Sequence, residues 1–154
     1  MRQSLSEKSG IPTAAPGGRR FTGYAVAAAM ALSVVLAAAA IVDQSGGRTL
    51  VDHAAAVYAS SGKRPSAGLL YGLVYSVAVI DALLWLLVLR AARSHRRSAP
   101  VLTVTGIVVS AGLAALLLAS SEYGERIFPP LWGVLAILPA VAGVVAATFL
   151  LRRA

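Results

Sequence analysis

The 154-residue chain is 58% hydrophobic and only 13% charged, with a mean hydropathy of +0.76 and a formal net charge of +8. Soluble domains are typically about 45–50% apolar and about 25% charged, so this composition predicts a membrane protein. Because the chain has no cysteine, disulfides, thiolate nucleophiles, iron–sulfur clusters and cysteine-based zinc sites are excluded.

The first 21 residues mix Ser, Gly, Pro and charged residues without an apolar period. Such composition is typical of disorder, and residues 1–21 are predicted to form a disordered, basic cytoplasmic tail. The rest of the chain, 22–154, is predicted to be one four-span transmembrane domain.

Four apolar segments of about 20 residues follow, which is the length a helix needs to cross a bilayer. They cover approximately residues 23–42, 67–89, 101–119 and 131–151. The predicted fold is all-α, a four-helix transmembrane bundle with a short amphipathic helix in the first outer loop. The first segment has small residues near its end that would suit a cleavable signal peptide, but it exceeds the usual 7–15 apolar residues, which favours a retained anchor.

Basic residues are distributed unevenly between the loops. Of the 14 Lys and Arg residues, only Arg48, Lys63, Arg64 and Arg126 fall on one side of the predicted spans. The positive-inside rule then places both termini in the cytoplasm, in a multi-pass protein of the bacterial cytoplasmic (inner) membrane. The inner basic residues are expected to face anionic lipid, and no nucleic-acid binding is expected.

The first outer loop contains the stretch TLVDHAAAVY, in which apolar residues recur at helical intervals. Thr49 and Asp52 have the spacing of a capping box at its start. We expect a short amphipathic helix that either lies on the membrane surface or covers the ends of the spans.

Aromatic residues mark the predicted span ends. Phe21, Tyr24, Phe128, Trp132 and Phe149 all fall near predicted boundaries, which is typical of interfacial belts.

Small residues recur every four positions on the second span, at Gly68, Gly72 and Ser76. Gly106 and Ser110 repeat this spacing on the third span. Such ladders allow helix backbones to approach closely, so they predict tight helix packing, within one chain or between chains. The expected partners are a second copy of the chain or another membrane protein.

Asp81 is the one ionisable residue well inside any apolar segment. A charge there costs about 2.5–3.5 kcal/mol on insertion scales, which justifies a functional hypothesis. Ser33 and Ser110 fall near the same depth, so Asp81, Ser33 and Ser110 are proposed as an intramembrane polar site. No cation lies within reach, and we expect a neutral carboxyl that joins helices by hydrogen bonds. The alternative is a proton-binding carboxyl.

Enzymatic chemistry finds little support in the sequence. Intramembrane aspartyl proteases need two carboxylates, whereas the spans contain one. Both histidines, His53 and His95, fall in loops, and Arg126 beside Glu122 and Glu125 indicates a solvated loop. No catalytic, cofactor or metal site is predicted. The favoured function is a non-enzymatic membrane component acting through helix–helix contacts; the alternative is a small proton-coupled transporter or channel subunit using Asp81.

The stretch SEYGERIFPPLWGVLAILPAVAGVVAATFLLRR and the usage of Ala, Val and Arg resemble small, uncharacterised four-span membrane proteins of high-GC actinobacteria. The resemblance extends over most of the chain and lies in layout and composition. It implies a four-span fold and no particular activity.

Overall fold

A computed structural model of the chain describes residues 17–94, 98–122 and 124–151, with side chains from residue 21 to 150. Five helices form most of it: α1 (Gly17–Val42), α2 (Thr49–Tyr58), α3 (Ala67–Arg93), α4 (Ala99–Ala119) and α5 (Pro130–Leu151). All but α2 are long and apolar enough to cross a membrane. The predicted all-α four-helix bundle is therefore confirmed. The first 16 residues of the predicted tail lie outside the described residues, and α1 already begins at Gly17.

The four long helices form a ring. α1 packs against α3 and α5, and α4 packs against α5 and α3, while the diagonal pairs meet little. Contact between α3 and α4 is the least extensive of the four adjacent pairs. We call it the α3–α4 seam.

One end of the ring, here called the α2 end, carries both longer connections. After α1, a π-helical turn over Asp43–Gly47 leads to Arg48, which has φ of 50° and precedes α2. The capping-box prediction is wrong, because Thr49 is the first helical residue and no side chain of the preceding Arg48 caps α2. The π-helical turn places the start of α2 so that the side chain of Asp43, and not that of an adjacent residue, reaches the free N–H groups of the helix.

Helix α2 covers the α2 end of the bundle. Leu50 and Ala54 on its inner face are completely buried, and they join a core cluster with Leu36, Leu70 and Tyr71. Asp52, Ala55 and Ala56 on the other face are exposed. The amphipathic pattern therefore serves to pack α2 onto the ends of the long helices.

The connection between α4 and α5 contains a minimal β-hairpin. Strand β1 (Ser121–Glu122) pairs antiparallel with β2 (Glu125–Arg126), and Gly124 has φ of 84° in the turn. The ring nitrogen Nε2 of His53 lies 2.9 Å from the carbonyl oxygen of Arg126, which links α2 to this hairpin. Strands of two residues are too short to produce an alternation of apolar and polar residues that would identify them in the sequence.

The aromatic residues predicted to mark the span ends differ in burial. Phe128 and Trp132 are only 4% and 2% exposed, within the core cluster at the α2 end. Both residues lie beside the start of α5, near the predicted span end, but their rings pack into the bundle with the other members of this cluster. At the opposite end, Phe21 is exposed and stacks on Phe149, with ring centroids 5.9 Å apart.

Candidate functional site

Asp81 lies inside the bundle, completely buried on α3. Ser110 of α4 donates its hydroxyl to Asp81 Oδ1 at 2.7 Å. The indole Nε1–H of Trp85, one turn along α3, donates to Ser110 Oγ at 3.1 Å. We call these three residues the Asp81 cluster. It forms a directed chain of hydrogen bonds from the indole through the hydroxyl to the carboxyl.

The indole of Trp85 reaches Ser110 because neighbouring helices leave space for it. A Cβ atom at Gly143 of α5 would overlap the ring, and one at Gly106 of α4 would lie 3.3 Å from Trp85 Cη2. The two glycines therefore act as a slot for the indole. The role of Trp85 could not be predicted from the sequence. An apolar segment does not show which of its large residues will pack against glycines of other helices.

Ser33 of α1 is also completely buried, but its hydroxyl bonds within its own helix. It donates to the carbonyl of Ala29 at 3.1 Å. A serine in a helix readily donates its hydroxyl to the backbone carbonyl four residues earlier. Lying at the same depth as Asp81 is therefore not enough for Ser33 to form a hydrogen bond with another helix. The structure thus brings Asp81 and Ser110 together and gives Ser33 a separate partner.

The second carboxyl oxygen, Asp81 Oδ2, is buried without a hydrogen-bond partner in the described part of the chain. Buried polar groups are nearly always paired, so an orphan oxygen needs an explanation. A proton on this oxygen would remove the buried charge while Oδ1 continues to accept from Ser110, but its O–H would have no acceptor among the described residues. The oxygen is therefore an unsatisfied polar atom in either protonation state.

The Asp81 cluster spans the α3–α4 seam, the adjacent pair with the least extensive packing. Interhelical hydrogen bonds contribute on average about 0.6 kcal/mol and at most about 1.7 kcal/mol in membrane proteins. The bonds at Ser110 therefore add interhelical contact to the pair of adjacent helices whose backbones approach each other least.

A second polar cluster lies at the α2 end, around Asp43. Its Oδ1 accepts from the backbone N–H of Thr49 at 2.9 Å and from the Thr49 hydroxyl. Its Oδ2 accepts from the backbone N–H of Leu50 at 3.1 Å and from the Tyr71 hydroxyl at 2.8 Å. We call these four residues the Asp43 cluster. It joins the end of α1 to the start of α2 and to α3.

Asp43 performs the capping function that the sequence assigned to Thr49. The first N–H groups of a helix have no partner within it, and Asp43 supplies acceptors for two of them from six and seven residues away. The neighbouring Gln44 Oε1 accepts a hydrogen bond from the Tyr75 hydroxyl at 2.7 Å. The one sequence feature that could have indicated this role is the position of Asp43, an acid directly after an apolar segment. Whether its carboxylate can reach α2 depends on the π-helical turn, which has no clear sequence pattern.

The small-residue ladder on α3 lies on the outside of the bundle. Gly68, Gly72 and Ser76 are exposed, and a Cβ atom at Gly72 would meet nothing within 4 Å. The hydroxyl of Ser76 donates to the carbonyl of Gly72 at 2.8 Å. No other helix among the described residues packs on this small-residue face.

Among the described residues there is no group of three or more His, Cys, Asp or Glu side chains that could hold a metal ion. Comparison with protein families, curated proteins and solved structures finds no match for the chain.

Proposed function

We propose that this integral membrane protein is a non-enzymatic membrane component that associates with a second copy of itself through the small-residue face of α3. The observation that carries the proposal is the open space above Gly72, which is bordered by Gly68 and Ser76 at the spacing of close helix packing.

The other glycines of the bundle provide the comparison. At Gly106, Gly133 and Gly143, a Cβ atom would press against a side chain of another helix, so these glycines are already used within the chain. Gly72 has the same ladder spacing and no neighbour. Gly112 of α4 is also open, but Val108 and Leu116 flank it four residues away and prevent close backbone approach.

A second copy is the occupant that the ladder fits best. Close approach of two helices needs small residues on both, and a two-fold axis through Gly72 would set the ladder against itself. Without a hydrophobic driving force between helices in lipid, such backbone contact is a main source of association.

The test compares Gly72→Leu with the matched control Gly112→Leu, by light-scattering mass measurement in mild detergent. We expect wild type and Gly112→Leu to be dimeric and Gly72→Leu to be monomeric. A monomeric wild type, or a dimer that survives Gly72→Leu, would contradict the proposal.

Cross-linking in the membrane gives an independent check. Because the chain has no cysteine, a single Ser76→Cys substitution reports on one position alone. Oxidation should yield a covalent dimer of Ser76→Cys and none of Val108→Cys on the exposed face of α4. A disulfide to a different membrane protein at position 76 would instead identify a heterologous partner and overturn self-association.

The unpartnered Oδ2 of Asp81 favours a second candidate, a proton-coupled transporter or channel subunit. An intramembrane carboxyl that exchanges a proton would alternate between this state and one exposed to water. Proteoliposomes containing a pH-sensitive dye test it, since wild type should dissipate a proton gradient faster than Asp81→Asn. Equal rates in the two would exclude a proton-conducting channel that uses Asp81.

We propose the cytoplasmic membrane of a bacterium as the location, with both termini in the cytoplasm. The charge bias supports it, since ten of the 14 basic residues would then face the cytoplasm and the anionic lipid of that leaflet.

A further inference from the structure

Four of the 14 basic residues are predicted to lie on the less basic side of the spans, and three of these four line one cleft at the α2 end. Arg48, Lys63 and Arg64 border a space of about 660 Å³ whose apolar lining includes Val51, Ala55 and Pro65. The fourth, Arg126, is not part of its lining. We call this space the basic cleft. No acidic side chain among the described residues lines it, and the nearby Asp52 lies outside the lining.

The backbone places Arg48 at this cleft in a conformation that residues other than glycine rarely adopt. Arg48 is the only non-glycine residue with positive φ in the described part of the chain, although Gly46 and Gly47 directly precede it. Its N–H donates to the Asp43 carbonyl at 2.6 Å, and its carbonyl accepts from Asp52 N–H at 2.9 Å. The chain thus holds an arginine where glycine would be the unstrained choice.

A second, apolar cleft adjoins the basic cleft. It has a volume of about 360 Å³ and shares Lys63, Arg64 and Pro65 with its neighbour. Its lining includes Leu69 and Leu73 of α3, and Leu69 is 69% exposed. Glu122 is its one acidic lining residue, so the three basic and one acidic residues of the two linings leave a net positive charge.

From this arrangement we infer that the α2 end binds an anionic phospholipid, with the phosphate headgroup in the basic cleft and an acyl chain over Leu69 and Leu73. Arginine and lysine recognise phosphate through charge-assisted hydrogen bonds. A free phosphate ion would use the basic cleft but would not need the adjoining apolar cleft at the membrane boundary. The adjacent positions of the two therefore favour a lipid.

The experiment measures lipid retention by native mass spectrometry of the detergent-solubilised protein with phosphatidylglycerol or phosphatidylcholine of the same acyl chains. We expect wild type to prefer phosphatidylglycerol by about tenfold, since loss of charge-assisted bonds of ordinary strength changes affinity by this order. The triple variant R48N/K63Q/R64Q should lose the preference. Asparagine at position 48 tolerates positive φ, so the start of α2 is kept.

Arg126→Gln is the matched control, because it removes an exposed charge from the same end without touching the cleft. It should retain the wild-type preference. An unchanged preference in the triple variant, or an equal loss in Arg126→Gln, would overturn the inference. Should the triple variant lose helical circular dichroism, the single variants Lys63→Gln and Arg64→Gln serve instead, each with a reduced preference expected and an unchanged one contradicting it.

Inorganic phosphate distinguishes the source of the anion. At millimolar concentration it should not displace bound phosphatidylglycerol, and displacement would identify a soluble anion as the ligand and overturn the lipid assignment. The headgroup residues Arg48, Lys63 and Arg64 lie outside the small-residue face of α3, so Gly72→Leu should keep the headgroup preference whether or not that variant is monomeric.

Discussion

The indole of Trp85 occupies the space where a side chain at Gly143 would otherwise lie. This pairing aligns the indole N–H with Ser110 and, through it, with Asp81. Packing and hydrogen bonding are therefore coupled in the centre of the bundle, because the polar chain forms only if three helices approach to the distance that two glycines permit.

A methyl group at Gly143 should destabilise the bundle. Gly143→Ala forces the Trp85 ring to shift, and overpacking of this kind typically costs about 1–3 kcal/mol. Unfolding by SDS in mixed micelles, followed by circular dichroism, measures the free energy. Gly112→Ala is the control, since a Cβ atom there meets nothing within 4 Å. Equal stability of the two variants would contradict the role of Gly143 as a slot.

Removing the Ser110 hydroxyl should weaken the α3–α4 seam. Ser110→Ala leaves both Trp85 Nε1 and Asp81 Oδ1 without their partner, and we expect a loss of about 0.6–1.7 kcal/mol for each interhelical bond. The same SDS titration measures it. Thr148→Val removes an exposed hydroxyl that bonds within its own helix, and its effect should stay within about 0.5 kcal/mol. A loss as large for Thr148→Val would show that the effect is not specific to the seam.

Asp43→Ala should release the start of α2. The substitution leaves the N–H groups of Thr49 and Leu50 and the Tyr71 hydroxyl without acceptors, at a cost of about 1–3 kcal/mol for a buried group. Hydrogen exchange should rise over residues 49–58 and remain unchanged over the middle of α3. Asp52→Ala removes an exposed acid from α2 and should leave exchange as in wild type. Unaltered exchange in Asp43→Ala would contradict the capping role.

The orientation of the bundle is open to direct labelling because the native chain has no cysteine. Single substitutions Ser60→Cys and Ser98→Cys place an exposed thiol at the α2 end and at the α3–α4 connection, respectively. A membrane-impermeant maleimide added to intact cells from which the outer barrier has been removed should label position 60, and position 98 only after lysis. The reverse pattern would overturn the proposed orientation.

Features that arise from residues close together in the sequence could be predicted, and features that join distant parts of the chain mostly could not. The long helices follow from continuous apolar segments, and α2 follows from apolar residues at helical spacing. Asp81 and Ser110 were matched by depth, which is set by counting along helices of fixed rise. Ser33 lies near the same depth, yet its hydroxyl bonds to the carbonyl of Ala29, because depth does not determine which acceptor a side chain uses. The position of Trp85 depends on glycines of two other helices, and the reach of Asp43 depends on the π-helical turn that begins at Asp43 and has no clear sequence pattern.

The stacking of Phe21 on Phe149 has a further consequence for the connectivity of the fold. It brings the first turns of α1 beside the last turns of α5, so the ring of helices closes on itself. A short linker could join residues 17 and 151, with new ends opened in the connection between α3 and α4 at the same end of the bundle. Such a circularly permuted chain would keep the number of crossings and the side on which its ends lie, and its stability would measure how much the original order of the helices matters.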